Sequence, residues 1–209
     1  MNKPLLSRKN RLRNGLGRNC PFIFSLVQQT LREFKRLCGN IPYEKSRRNF
    51  NYYSEVIRLA KKYAPAGESV IDIGSSETDV LERISWFSRR TALDIRYVPP
   101  RKGIDIITAD FLAYDGVLDF DMVLCLQVLE HLDDPAAFAR KLFNTGRHVI
   151  ITVPYKWPAG MCPGHVQDPV DEARLRQWTG KDPIESIIVS DKKDRLIAVY
   201  DGNDLYKIN

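Results

Sequence analysis

The residues with the most chemical content close three apolar runs. Val70-Ile-Asp-Ile-Gly-Ser-Ser-Glu-Thr-Asp-Val-Leu81 is a buried-strand pattern that ends in Asp72, turns at Gly74 and enters a helical pattern. Gly74 admits a ligand to the backbone where a Cβ would collide. Asp72 and Glu77 place negative charge where a phosphate-binding loop has none. The loop therefore suits a ligand with a cationic part, such as an amino acid moiety beside a sulfonium, and not a pyrophosphate. Asp94 closes the next run, Ala92-Leu-Asp-Ile95, 22 residues after Asp72. A carboxylate there can accept both hydroxyls of a ribose. The third run ends in Thr108-Ala-Asp-Phe111, where Asp110 can accept from an adenine amino group and Phe111 can stack on the ring. Aspartate often starts a turn; three in succession at strand ends are more specific than any one.

The elements that position these residues follow from the periodicity. Short β-rich runs occupy Ser69–Ile73, Thr91–Ile95, Ile104–Ala109, Asp121–Leu126 and His148–Val153, with helical stretches at Asp79–Ser88 and Asp134–Leu142 between them. Strands alternating with helices imply a parallel sheet with helices on both faces, whose strand ends open onto a ligand crevice. The runs Ile184–Ser190 and Leu196–Tyr200 are separated only by Asp191-Lys-Lys-Asp194, too tight for a parallel crossover, so they form an antiparallel hairpin. A helix is expected over Asn51–Tyr63, with Tyr52, Val56, Leu59 and Ala60 on one face.

With these residues the chain resembles the class I S-adenosylmethionine-dependent methyltransferases. The likeness rests on the acidic glycine loop, on Asp94 and Asp110, and on Phe120-Asp-Met-Val-Leu-Cys-Leu-Gln-Val-Leu-Glu-His-Leu-Asp-Asp-Pro135. It implies an α/β fold, a three-layer α-β-α Rossmann-like sheet of seven mostly parallel strands in the order 3-2-1-4-5-7-6, closed by the antiparallel hairpin. It also implies S-adenosyl-L-methionine as cofactor, lined by Asp72, Gly74, Ser75, Ser76, Glu77, Asp94, Asp110, Phe111, Leu126 and Gln127. One departure is visible: the family loop usually carries further glycines where this chain has Ser76 and Thr78, and the β-branched Thr78 implies a different turn.

Methyl transfer from a sulfonium needs alignment and, for a hydroxyl acceptor, removal of a proton. His131 follows the fourth strand. His165, in Pro163-Gly-His-Val-Gln-Asp168, belongs to the long segment that should cover the acceptor side, with Tyr155 and Trp157 as walls. We take His165 as the base, Asp168 as its orienting partner and His131 as the second candidate; His148 opens a core strand and is structural. Glu130, His131, Asp133, Asp134, His165, Asp168 and Asp171 would hold a divalent metal only if several of them converged. Spacing does not establish that, and no metal ligand is assigned. Asp168-Pro-Val-Asp-Glu172 also reads as a helix start, with Asp168 as cap and Pro169 in the first turn, ending at Gly180.

Charge is unevenly distributed. Twelve Lys/Arg against two acidic residues leave residues 1–48 at +10, and residues 49–209 carry −4. We therefore divide the chain into a basic N-terminal arm (1–48), with one amphipathic helix over Pro21–Leu37, and a methyltransferase domain (49–209). The arm suits an anionic membrane surface or a phosphorylated acceptor. Four cysteines without C-x-x-C spacing, and no apolar run of membrane-spanning length, point to a cytoplasmic protein, in reach of the inner membrane face. The segment from His165 to Gly180 resembles methyltransferases of bacterial polysaccharide biosynthesis, which implies a small-molecule or glycan acceptor and O-methylation. A nucleic-acid methyltransferase is the alternative, weakened because no Asn/Asp-Pro-Pro-aromatic signature follows the fourth strand. A nicotinamide dehydrogenase lacks its G-x-G-x-x-G. A degenerate, binding-only domain is the non-enzyme reading.

Overall fold

The computed structural model describes residues 50–76 and 78–202. The basic arm with its helix over 21–37, and Glu77, lie outside the described residues. The elements run α1 (Asn51–Tyr63), β1 (Ser69–Ile73), α2 (Val80–Arg83), β2 (Arg89–Asp94), β3 (Asp105–Thr108) and β4 (Phe120–Leu126). A 3₁₀ turn (Leu129–His131), α3 (Pro135–Phe143), β5 (Gly146–Pro154), α4 (Glu172–Thr179), β6 (Glu185–Val189) and β7 (Arg195–Asp201) follow. One sheet holds all seven strands in the order β3-β2-β1-β4-β5-β7-β6. The first five pair in parallel, and β7 runs antiparallel to both β5 and β6.

Burial on both faces explains why the central strands read as continuous apolar runs and not as alternating ones. In β1 all five residues are buried. Successive side chains still go to opposite sides. Ile71, Ile73, Val123, Cys125, Leu196 and Ala198 join the layer packed with Phe138 and Leu142 of α3 and Leu175 and Trp178 of α4. Val70, Met122, Leu124, Ile197 and Val199 join the layer packed with Val56 and Leu59 of α1 and Val80 and Leu81 of α2. Two helical layers thus sandwich the sheet. No helix among the described residues is long and apolar enough to cross a membrane.

Two expected elements differ. The helix expected over 79–88 lasts only four residues. Beyond it Ile84 and Phe87 stay buried, and Phe87 N–H donates to the Ile84 carbonyl in a turn (3.2 Å). An apolar face at helical spacing was satisfied without continuing the helix. The cap of α4 is also not Asp168. Asp171 accepts from Arg174 N–H at 2.8 Å, and the helix begins at Glu172. Lys156 N–H donates to Val170 O at 2.7 Å, and the Asp168 carboxylate is engaged by His165. Gly180, at φ 70°, ends α4 where expected; that left-handed conformation suits glycine.

Candidate active site

The parallel strands β1, β2 and β4 deliver their carboxyl ends side by side, so Asp72, Asp94 and Leu126 meet at one edge of the sheet. Asp72 is buried at the end of β1. Its Oδ2 lies 3.5 Å from Thr78 Oγ1, and its Oδ1 has no hydrogen-bond partner among the described residues. Burial pushes its carboxyl up to about 7, against the opposing pull of the nearby Arg101 guanidinium. Gly74 follows at φ 76°, and a Cβ there would meet Val128 Cγ2 at 2.6 Å. The loop is therefore clamped against the segment after β4.

Ser76 adopts φ 49°, the left-handed region that favours glycine. Its N–H donates to Asp94 Oδ2 at 2.8 Å, while Arg96 N–H donates to Asp94 Oδ1, also at 2.8 Å. Asp94 is thus held rigidly at the loop, with lone pairs remaining on both oxygens for a ligand. Gln127 takes φ 59° immediately after β4 and is tied to β5, its N–H donating to Thr152 O (2.9 Å) and its Nε2 to Thr152 Oγ1 (3.2 Å). These residues fit a nucleoside carrying a cationic group. A buried carboxylate oxygen without a partner precedes a tight glycine turn, and Ser75 Oγ in that turn is also buried with no partner among the described residues.

The adenine side departs from expectation. Asp110 is exposed at the end of β3, its Oδ1 accepting from Leu112 N–H at 2.9 Å. Phe111, by contrast, turns inward. It is buried, its ring 4.8 Å from that of Phe138, in the core under α3. Stacking on an adenine would require it to leave that core.

The segment between β5 and α4, expected to cover the acceptor, folds back over the 3₁₀ turn. Val166 N–H donates to Glu130 O at 2.9 Å and Gln167 Nε2 to Leu132 O at 2.8 Å. This brings His165 and His131 together, their ring centroids 4.7 Å apart. His165 Nδ1 lies 2.7 Å from Asp168 Oδ2, with both side chains at or below 5% exposure. Trp157 stacks on His165 at 5.7 Å, and its Nε1 donates to Asp194 O at 2.8 Å. Tyr155 sits beyond it, its hydroxyl 3.1 Å from Glu172 Oε1. Burial holds His131 below the ordinary imidazole range, while its bond to the Gly164 carbonyl works the other way. Asp134 is elsewhere, capping α3 through Ala137 N–H, as Asp171 caps α4. His148 lies within β5, its Nδ1 3.1 Å from Asp201 Oδ1.

Two residues of this region were not assigned from sequence. Glu130, fully buried, stands between the two histidines. Arg101 donates to the Thr78 carbonyl and Glu82, so it pins the far end of the cofactor loop. The Glu-His dipeptide after a core strand was a usable signal for the first; nothing local marks the second.

Sheet order, acidic glycine loop and strand-end carboxylates together define a Rossmann-like methyltransferase fold. The sequence model of a methyltransferase domain matches residues 43–208, and the chain belongs to that family, the S-adenosylmethionine-dependent class I methyltransferases. No curated protein matches the chain. Among solved structures it is similar to the N-methyltransferase NodS from Bradyrhizobium japonicum WM9 in complex with S-adenosylhomocysteine. The TM-score is 0.64 at 15% identity, over 83% of this chain and 97% of that one. It is also similar to the Burkholderia thailandensis 1,6-didemethyltoxoflavin-N1-methyltransferase (TM-score 0.61, 16% identity, 86% and 90% covered). A third is the N-terminal domain of EvdMO1, crystallised in the presence of S-adenosylhomocysteine and D-fucose (TM-score 0.54, 13% identity, 74% and 84% covered).

Proposed function

We propose that this methyltransferase acts on a hydroxyl of a sugar or other small hydroxylated acceptor. The observation that carries the reading is the buried His165–Asp168 pair, 2.7 Å apart, on the segment covering the strand ends beside the cofactor loop. A neutral amine attacks a methyl group without first losing a proton, whereas a hydroxyl is a poor nucleophile until its proton is managed. A carboxylate-oriented imidazole answers the second need. NodS and the toxoflavin enzyme are N-methyltransferases, so an amine acceptor is the second reading for this fold.

S-adenosylmethionine supplies the electrophilic methyl group. Asp94, fixed by Ser76 and Arg96, holds the ribose hydroxyls, and Asp72 with the Gly74–Ser76 turn faces the cationic part. Asp110 accepts from the adenine amino group; Phe111, held in the core, does not stack there. Trp157 keeps the His165 ring in place, Asp168 fixes its orientation, and Tyr155 and Trp157 wall the acceptor. The basic segment 1–48 recruits an acceptor carrying phosphate or lying at an anionic membrane surface.

The test is product mass analysis with a panel of saccharides. His165→Ala is expected to bind S-adenosylhomocysteine normally but to lose about 10²–10⁴ in kcat. If neither it nor His131→Ala is impaired beyond a few-fold, the hydroxyl reading is wrong and an amine or phosphate oxygen takes its place.

A further inference from the structure

Three ligand-type atoms meet behind Trp157. Glu130 Oε1 lies 4.0 Å from His131 Nε2 and 4.0 Å from His165 Nε2. One such atom from each residue falls within 4.8 Å of the others. Glu130 is fully buried and the His165 side chain is 5% exposed, so bulk water does not separate them.

The tautomers are set from behind. His131 Nδ1 lies 3.0 Å from the Gly164 carbonyl oxygen, which can only accept, so the ring proton sits on Nδ1. His165 Nδ1 faces Asp168 Oδ2 at 2.7 Å, and the same reasoning applies. Both Nε2 atoms are then left with lone pairs, and both point toward a buried carboxylate oxygen. Electron-rich atoms converging in a site of low polarity repel one another, and a cation among them, a proton or a metal, is favourable there. Imidazoles that bind metal characteristically donate their other nitrogen to a carboxylate or a backbone carbonyl. Both arrangements are present here, one on each ring.

We propose that Glu130, His131 and His165 form a site for one divalent transition cation, with Asp168 and the Gly164 carbonyl orienting the two imidazoles. The spacings leave a point about 2.5 Å from all three atoms, a few tenths of an ångström beyond a zinc–nitrogen bond of about 2.1 Å. Two imidazoles and one carboxylate suit zinc, manganese or cobalt better than calcium, which takes six to eight oxygens. His131, with its side chain 42% exposed, leaves the site open on one side for an oxygen ligand.

The catalytic consequence rests on the hydroxyl-transfer reading. A cation here lowers the pKa of an acceptor hydroxyl set against it, and the proton leaves to solvent. The acceptor oxygen bonds to the methyl carbon as the carbon–sulfur bond breaks, its electron pair returning to sulfur. His165 then holds the cation instead of taking the proton.

The full chain, dialysed against EDTA, is titrated with Mn²⁺, Zn²⁺ and Co²⁺ in the absence of any acceptor, visible absorption of Co²⁺ reporting nitrogen ligation. One ion per chain is expected, with affinity lost in His131→Ala, His165→Ala and Glu130→Gln and weakened about 10–100-fold in Asp168→Asn. S-adenosylhomocysteine affinity and far-ultraviolet circular dichroism report that each variant is folded. His131→Ala, at the exposed side, keeps the test decisive if Glu130→Gln does not fold. No ion bound, or binding unchanged by the histidine variants, overturns the site. An ion bound stoichiometrically without methylation of any hydroxyl acceptor keeps the site and removes the hydroxyl reading. Methylation of a hydroxyl acceptor by metal-free protein keeps the hydroxyl reading and removes the cation's part in catalysis.

Discussion

Buried at the end of β1, Asp72 meets a cost that its partners only partly offset. Its carboxyl is raised from 3.8 to about 7 by burial. For an acid whose folded pKa lies above its unfolded one, the folded state binds the extra proton between the two values. Its contribution to stability is therefore fully present below 3.8 and falls away as pH rises through about 7. Asp72→Asn should remove that loss, so the variant should be more stable than the parent at pH 8, by denaturant unfolding, while binding S-adenosylmethionine more weakly. A parent no less stable at pH 8 than at pH 5, relative to the variant, would show that Asp72 ionises freely. A cationic ligand prefers the carboxylate, so cofactor binding below pH 7 should also release a proton, read by calorimetry in buffers of different ionisation heat. Ser76 offers a second test. A non-glycine residue at φ 49° is strained by about 1–2 kcal/mol, so Ser76→Gly should be neutral or stabilising by up to about 1 kcal/mol in urea unfolding. A clear destabilisation would mean the serine side chain compensates its own backbone. Ser76, where the family loop usually carries glycine, thus holds a backbone conformation that favours glycine.

Among the elements, α1 is held by residues far along the chain. The Asp191 carboxylate accepts from Asn51 N–H (2.9 Å) and Tyr52 N–H (3.2 Å), capping a helix that begins 140 positions earlier. The same carboxylate lies 3.9 Å from buried Arg195, whose guanidinium also packs over Phe50, Tyr52 and Trp157. One aspartate in the β6–β7 turn thus ties the first helix to Arg195 and, through it, to the Trp157 ring. Asp191→Ala should cost about 2–4 kcal/mol, the lost cap plus an arginine left buried without its carboxylate. Asp191→Asn, which keeps an acceptor for the cap, should recover part of it. Equal stabilities of the two variants, by thermal or urea unfolding, would assign the whole effect to the arginine. Sequence reading placed α1 within its actual bounds but supplied no cap, because caps are sought among neighbours and this one arrives by tertiary contact. The same limit misplaced the start of α4, where Asp168 satisfied every local rule for a cap and was taken by His165 instead.

For the whole molecule, the periodic apolar pattern of the strand-and-helix domain begins after the basic segment, with the helix from Asn51. A chain starting at Asn49 should therefore fold and bind S-adenosylhomocysteine. If segment 1–48 recruits an anionic acceptor, its removal should raise KM and abolish salt sensitivity. Kinetics unchanged at low salt would leave that segment without a part in recruitment. The sequence alone determined the fold, because strands buried on both faces must be long apolar runs and because a four-residue link permits only a hairpin. It also determined the cofactor's charge, since carboxylates in a glycine turn repel phosphate. What it could not determine was which side chains converge. His165 and Asp168 pair within one segment, but Glu130 and His131 join His165 only when that segment, after β5, folds back over the turn after β4, through hydrogen bonds between residues about 35 positions apart. Phe111 shows the converse: an aromatic beside a strand end is drawn into the core when a neighbouring helix offers it a ring to pack on. Periodicity reports which face of an element is buried, whereas a site depends on how loops cross, and that is settled by packing at a distance.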